Sequence, residues 1–93
     1  MIPDLDQQFH QRADAVIALA NEQLAQAAPG QVSASCMYAT ARFNAWVSAR
    51  GAGSGAGLAA AKADTIDYFV QQYRAMLEEN LDWYIANFPS RDP

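Results

Sequence analysis

The sequence predicts an all-α fold, a three-helix antiparallel bundle with a long C-terminal helix. Three observations carry it. Apolar residues recur at intervals of three and four through three long stretches, the spacing of helical faces. No stretch alternates with the period of two that a strand needs. Two clusters of helix breakers, Pro29-Gly30 and the run Gly51 to Gly57, divide the stretches and imply antiparallel neighbours.

The first helix is expected over about 4–28. Asp4 and Gln7 have capping-box spacing, Pro3 precedes them, and Asp4 and Asp6 suit the positive end of the helix dipole. Phe9, Ala13, Val16, Ile17, Ala20 and Leu24 then form one face, which Pro29-Gly30 ends in a turn. The second helix is expected over about 33–50, capped by Ser33, with Val32 able to staple against Met37. Met37, Ala41, Ala45 and Ala49 make one stripe, and Cys36, Phe43, Trp46 and Val47 lie on another side. A helix apolar on most sides is buried on most sides.

Four glycines between Gly51 and Gly57 predict a loose connection. The third helix is expected over about 58–88, with a break near Lys62 or Ala63 left open. Its broad stripe runs from Ile66 through Phe69, Val70, Tyr73, Met76, Leu77 and Leu81 to Phe88. Gln71, Gln72, Arg74, Glu78 and Asp82 occupy the remaining sides, and Tyr68 and Trp83 lie off the stripe as weak signs of a contact surface. Pro89 closes the helix ahead of a tail over 89–93, so residues 1–93 are expected to form a single helical domain.

Composition bounds the function. The chain has 93 residues, 52% of them hydrophobic and 17% charged, the opposite of a disordered segment. Ten acidic residues against six basic ones give a net charge of −4. Nucleic acid and acidic membranes are therefore not expected partners, because phosphate binding needs basic residues. The N-terminus has no signal-peptide pattern and no stretch reaches membrane-helix length, so a cytoplasmic protein is expected. Alanine supplies 20 of the 93 residues. A short chain with small side chains buries little area, which points to a homo-oligomer, a dimer, with an unidentified protein partner as a further expectation.

No constellation rises to a catalytic or metal site. His10 with Asp6 and Asp14 makes an i, i+4 series on one exposed helix without the convergence a metal needs. Cys36 is the single cysteine and has no base beside it; a small buried hydrophobe is its ordinary role. Glu78, Glu79 and Asp82 read as a solvated face. The glycine run lacks the strand before it and the Lys-Ser or Lys-Thr after it that a phosphate loop requires. No cofactor is expected. Whether the protein is an enzyme stays open: no nucleophile has a visible base beside it, although catalytic residues can converge from distant positions. The middle helix carries Arg42 and Arg50 and lies between two acidic helices, which suggests Arg42 pairing with Asp14 or Asp67 to fix register.

The runs Phe9-His10-Gln11-Arg12-Ala13-Asp14, Leu19-Ala20-Asn21-Glu22-Gln23, Val32 through Ala45, Asp67-Tyr68-Phe69 and Met76 through Leu81 resemble a family of short uncharacterised bacterial proteins, a domain of unknown function. The similarity spans Asp6 to Phe88. It implies a single-domain bacterial protein and transfers no catalytic residue. It directs attention to polar residues among apolar ones. These suggest a structural network across the first two helices, or alternatively a small-molecule or metal-binding module with a polar ligand pocket lined by Tyr38, Arg42 and Asn44. The favoured reading is an interaction or structural protein whose middle helix is wrapped on nearly all sides. Met37, Phe43 and Trp46 facing solvent in an isolated subunit would remove that assembly and the interaction-protein reading together.

Overall fold

The computed structural model describes residues 6–89 and Pro93. Its fold is all-α, with three helices and the longest at the C-terminus: α1 (Phe9–Gln23), α2 (Pro29–Ala52) and α3 (Gly55–Asn87). Packing follows chain order. Helix α1 lies against α2 and α2 against α3, while α1 and α3 do not meet.

Each boundary differs from the sequence expectation for a local reason. The Asp4 cap falls outside the described residues. Asp6 acts just before α1, where its Oδ1 accepts the Gln8 N–H at 2.9 Å and its carbonyl accepts the Phe9 N–H. At the other end, Leu24, Ala25 and Gln26 donate to carbonyls three residues back, the tightened turn that closes many helices. The chain leaves α1 early because α2 begins at Pro29, not Ser33. A proline forces the residue before it into extended backbone, and Ala28 sits at φ −70°, ψ 152°. Pro29 itself fits the first helical position, where its missing N–H is not needed. Gln31 reaches back, its Oε1 accepting the Ala28 N–H at 3.0 Å.

The glycine run is not a loose linker. Gly51 is still in α2, and Gly55 and Gly57 are already in α3. Only Gly53 and Ser54 lie between. Gly53 adopts φ +74°, the left-handed conformation glycine enters without steric cost, and its N–H donates to the Ala49 carbonyl. Ser54 then caps α3, its Oγ accepting the Gly57 N–H at 3.0 Å. A Cβ at Gly57 would come within 3.1 Å of that Oγ and 3.2 Å of the Ala52 carbonyl oxygen, so a side chain there would have to push its neighbours aside by a few tenths of an ångström.

Helix α3 is continuous through Lys62. Its 33 residues span about 50 Å at 1.5 Å each, and the longest extent of the molecule is 47 Å. Phe88 ends it in extended backbone, ψ 136°, as the following Pro89 requires.

The single broad stripe expected on α3 is two stripes. Leu58, Ala61, Thr65, Phe69, Gln72 and Met76 are half-buried. Ile66, Val70, Tyr73, Leu77, Leu81 and Phe88 are open to solvent. Ile66, Val70, Tyr73 and Leu77 each follow a half-buried residue by one position, about 100° around the helix. Gln72, expected on a solvated side, belongs to the inner stripe, and its Oε1 is shut away from solvent with no hydrogen-bond partner among the described residues.

Candidate functional site

The surface of α2 follows from the lengths of its neighbours. Val32, Cys36, Phe43, Trp46, Val47 and Arg50 share one face at 100° per residue. Val32 is the one buried hydrophobic among the described residues and Cys36 is half-buried. Further along, Phe43 is 63% exposed and Trp46 52%. Helix α1 has 15 residues and α2 has 24, about 22 Å against 36 Å, so α1 cannot reach the far half of that face. Met37, on another side, is 56% exposed. The expectation that the middle helix is wrapped on nearly all sides is therefore overturned within the chain, and the physical reason is an α1 ten residues shorter than expected. By that criterion this exposure counts against both the assembly and the interaction-protein reading. The same open area is also what a second subunit would cover.

The three residues expected to line a polar pocket are not gathered together. Arg42 lies over the Tyr38 ring, its Cζ 5.6 Å from the centroid, one turn along α2. Tyr38 is 68% exposed. Asn44 is half-buried and stands about 160° around the helix from Arg42, where its backbone carbonyl accepts the Ser48 hydroxyl at 2.8 Å. Arg42 has no ion pair with Asp14 or Asp67. The ion pairs among the described residues are Arg12–Asp6 at 2.8 Å and Arg74–Glu78 at 3.9 Å, both exposed.

An open groove of about 430 Å³ lies between α2 and α3, walled by Ala45, Ser48, Leu58, Ala59, Lys62 and Ile66 among others. It is almost wholly apolar and does not include Tyr38, Arg42 or Asn44. Small-molecule sites add convergent polar groups to an apolar wall, and this groove has none beyond Ser48, Lys62 and Thr65.

The remaining candidates are dispersed. The His10 ring meets Phe9 edge-on at 5.2 Å. Asp6 is engaged by Arg12, whose hydrogen bond, ahead of other causes, holds the carboxyl below its ordinary range. Among the described residues no group of three or more His, Cys, Asp or Glu is placed to hold a metal ion. Cys36 lies two turns inside α2, beyond the first turn where a helix dipole acts. Among the described residues no helix is long and apolar enough to cross a membrane.

The feature the sequence reading missed is the open stripe on α3. Its signal was present as an interval of eleven: Ile66, Leu77 and Phe88; Val70 and Leu81. The inner stripe repeats likewise, Leu58 to Phe69, Ala61 to Gln72 and Thr65 to Met76. Eleven residues in three turns is a pattern of helices packed along their length.

Fold and surface together define a small all-helical protein with apolar helix faces open to solvent. Residues 9–85 match the model of a family described as a protein of unknown function, DUF3144. The chain belongs to that family. The match starts at the first residue of α1 and ends two residues short of the end of α3. Comparison with curated proteins and with solved structures gives no match.

Proposed function

We propose that this chain is an interaction or structural protein that works as a homo-oligomer, a dimer, in the cytoplasm. One observation carries the reading. The chain exposes 7863 Å². A folded monomer of 10.1 kDa exposes about 5,300 Å². The excess is on the order of 2,600 Å². The eight residues at the two ends outside the description, even fully extended, would supply about half of it. Seventeen large hydrophobic residues among the described ones are exposed, and obligate subunit interfaces bury area of this size. Sedimentation velocity at micromolar concentration tests the reading. The expected species has about twice the chain mass; a sharp 10.1 kDa monomer at all concentrations overturns it.

A ligand module is the second reading, and the observation favouring it is Arg42. Its guanidinium is stacked on Tyr38 and has no carboxylate partner among the described residues, a geometry suited to a small carboxylate or phosphate. The test is a thermal-shift measurement with inorganic phosphate and acetate. Stabilisation that disappears in Arg42→Gln supports it, and no shift at millimolar anion removes it.

A further inference from the structure

We infer that the open stripe of α3 is the self-association surface, and that it pairs with the same stripe of a second copy, antiparallel, with Leu77 on the two-fold axis. The inference rests on the self-association reading and specifies its interface.

Three observations converge on this occupant. The first is period. A stripe that repeats every eleven residues from Ile66 to Phe88 stays in register only with another helix carrying the same repeat. Among the three helices, α3 carries it over two full repeats, and its outer stripe is open to solvent, with Ile66 at its near end also edging the groove against α2. The inner and outer stripes lie about 100° apart. A corner helix of a four-helix bundle meets its two neighbours at close to that angle.

The second is area. The six open residues of the stripe, two of them aromatic, present on the order of 600 Å² of apolar surface. A standard interface buries about 800 Å² on each partner, and flanking side chains supply the difference. The largest apolar patch of an ordinary monomer is about 300–600 Å². Beyond Met76 the residues of α3 are exposed except Tyr84, which is half-buried, so most of the distal third of the helix is open to solvent.

The third is charge, which chooses the direction. Ile66 to Phe88 is symmetric about Leu77. In the antiparallel register Ile66 faces Phe88 of the second copy, Val70 faces Tyr84, Tyr73 faces Leu81, and Leu77 faces itself. One flank of the stripe carries Asp67, Gln71, Arg74, Glu78 and Asp82. Antiparallel pairing brings Arg74 opposite Glu78 and Asp82 of the other copy, twice by symmetry. Parallel pairing instead sets this flank against the opposite, uncharged flank of the partner, which carries Phe69, Gln72 and Met76, so Arg74 meets no acid there; charged flanks select orientation in paired helices. Within one chain Arg74 reaches Glu78 only at 3.9 Å, which leaves its guanidinium available.

Site-directed cross-linking tests register, and hydrodynamics tests association separately. In a Cys36→Ser background, Leu77→Cys is treated with a short bis-maleimide. Covalent dimer is expected from Leu77→Cys alone, and from a mixture of Ile66→Cys with Phe88→Cys, but from neither of those two alone. Charge gives a second readout that leaves the apolar stripe intact. Arg74→Glu is expected to weaken dimerisation at least tenfold in sedimentation equilibrium, and adding Asp82→Arg to restore it. Self-linking of Ile66→Cys overturns the direction. A dimer in which Leu77→Cys does not link, or links to Val16→Cys on α1 instead, overturns the interface while self-association stands. A monomer at all concentrations overturns both.

Discussion

Replacing the glycines of the α2–α3 connection one at a time with alanine separates a built turn from a loose linker. Gly53 holds φ +74°. An L-residue there costs about 1–2 kcal/mol, offset by roughly 0.4–1 kcal/mol from a stiffer unfolded chain. Gly53→Ala should therefore destabilise by about 1 kcal/mol. Gly51 is helical, with nothing within 4 Å of an added Cβ, so Gly51→Ala should stabilise by about 0.5–1 kcal/mol. Gly55→Ala, at the first position of α3, should gain a few tenths. Gly57→Ala has the same helical gain but meets the Ala52 carbonyl oxygen at 3.2 Å. Ser54 can move its hydroxyl away, but the backbone carbonyl cannot follow, so the gain is cancelled. Thermal unfolding followed by far-ultraviolet circular dichroism, at one fixed protein concentration because association shifts the midpoint, reads the series. A spread of about 1.5–2 kcal/mol between Gly51→Ala and Gly53→Ala corresponds to roughly 10 °C for a chain this size. If all four variants melt within a degree or two of the parent, residues 51–57 are a flexible tether and the two-residue turn is wrong.

Removing the cap by Ser54→Ala should cost about 1 kcal/mol through the lost bond to the Gly57 N–H, measured in the same melts. Gln72→Met keeps the volume and removes a buried carbonyl with no donor, so it should raise stability by about 1 kcal/mol; a loss would mean that Oε1 has a partner in solution. Arg12→Ala should return the Asp6 carboxyl upward toward its ordinary value in an NMR titration. Its folded-state pKa is the lowered one, so its contribution to stability is present above the unfolded-state value and fades as pH falls through the folded-state value; an unmoved titration would show that the Arg12 contact does not persist. Trp46 lies on α2 and Trp83 off the outer stripe of α3, so emission should stay unchanged on dilution through the dissociation range; a red shift would place an indole in the association surface.

The three helices were legible because their apolar spacing is dense and uninterrupted, and the continuity of α3 past Lys62 follows from the good helix formers Ala59 to Ala63. Their ends were harder to read for a shared reason. Pro29 and the glycines read as breakers on composition, but a proline costs nothing at a first helical position and three of the four glycines accept helical backbone. Only Gly53 is conformationally special, and nothing in Gly-Ala-Gly-Ser-Gly-Ala-Gly distinguishes it before the turn is built. At the candidate site, Tyr38 and Arg42 were readable as neighbours because they are one turn apart. Asn44 could have been set aside by the same arithmetic, since two further residues carry it to the far side of α2. The open stripe was hidden by its proximity to the inner one: Phe69 beside Val70 and Met76 beside Leu77 merge into one broad face until burial separates them.

The unbroken length of α3 has a mechanical side. Running unbroken for about 50 Å, it takes its heading at one end, from Gly53, Ser54 and the contact with α2. A difference of roughly 10° in that heading would carry Phe88 sideways by about 9 Å, nearly the diameter of a helix. The residues at one end thus aim an aromatic tip at the other that they never touch, and a small error in their geometry is magnified on its way along the rod.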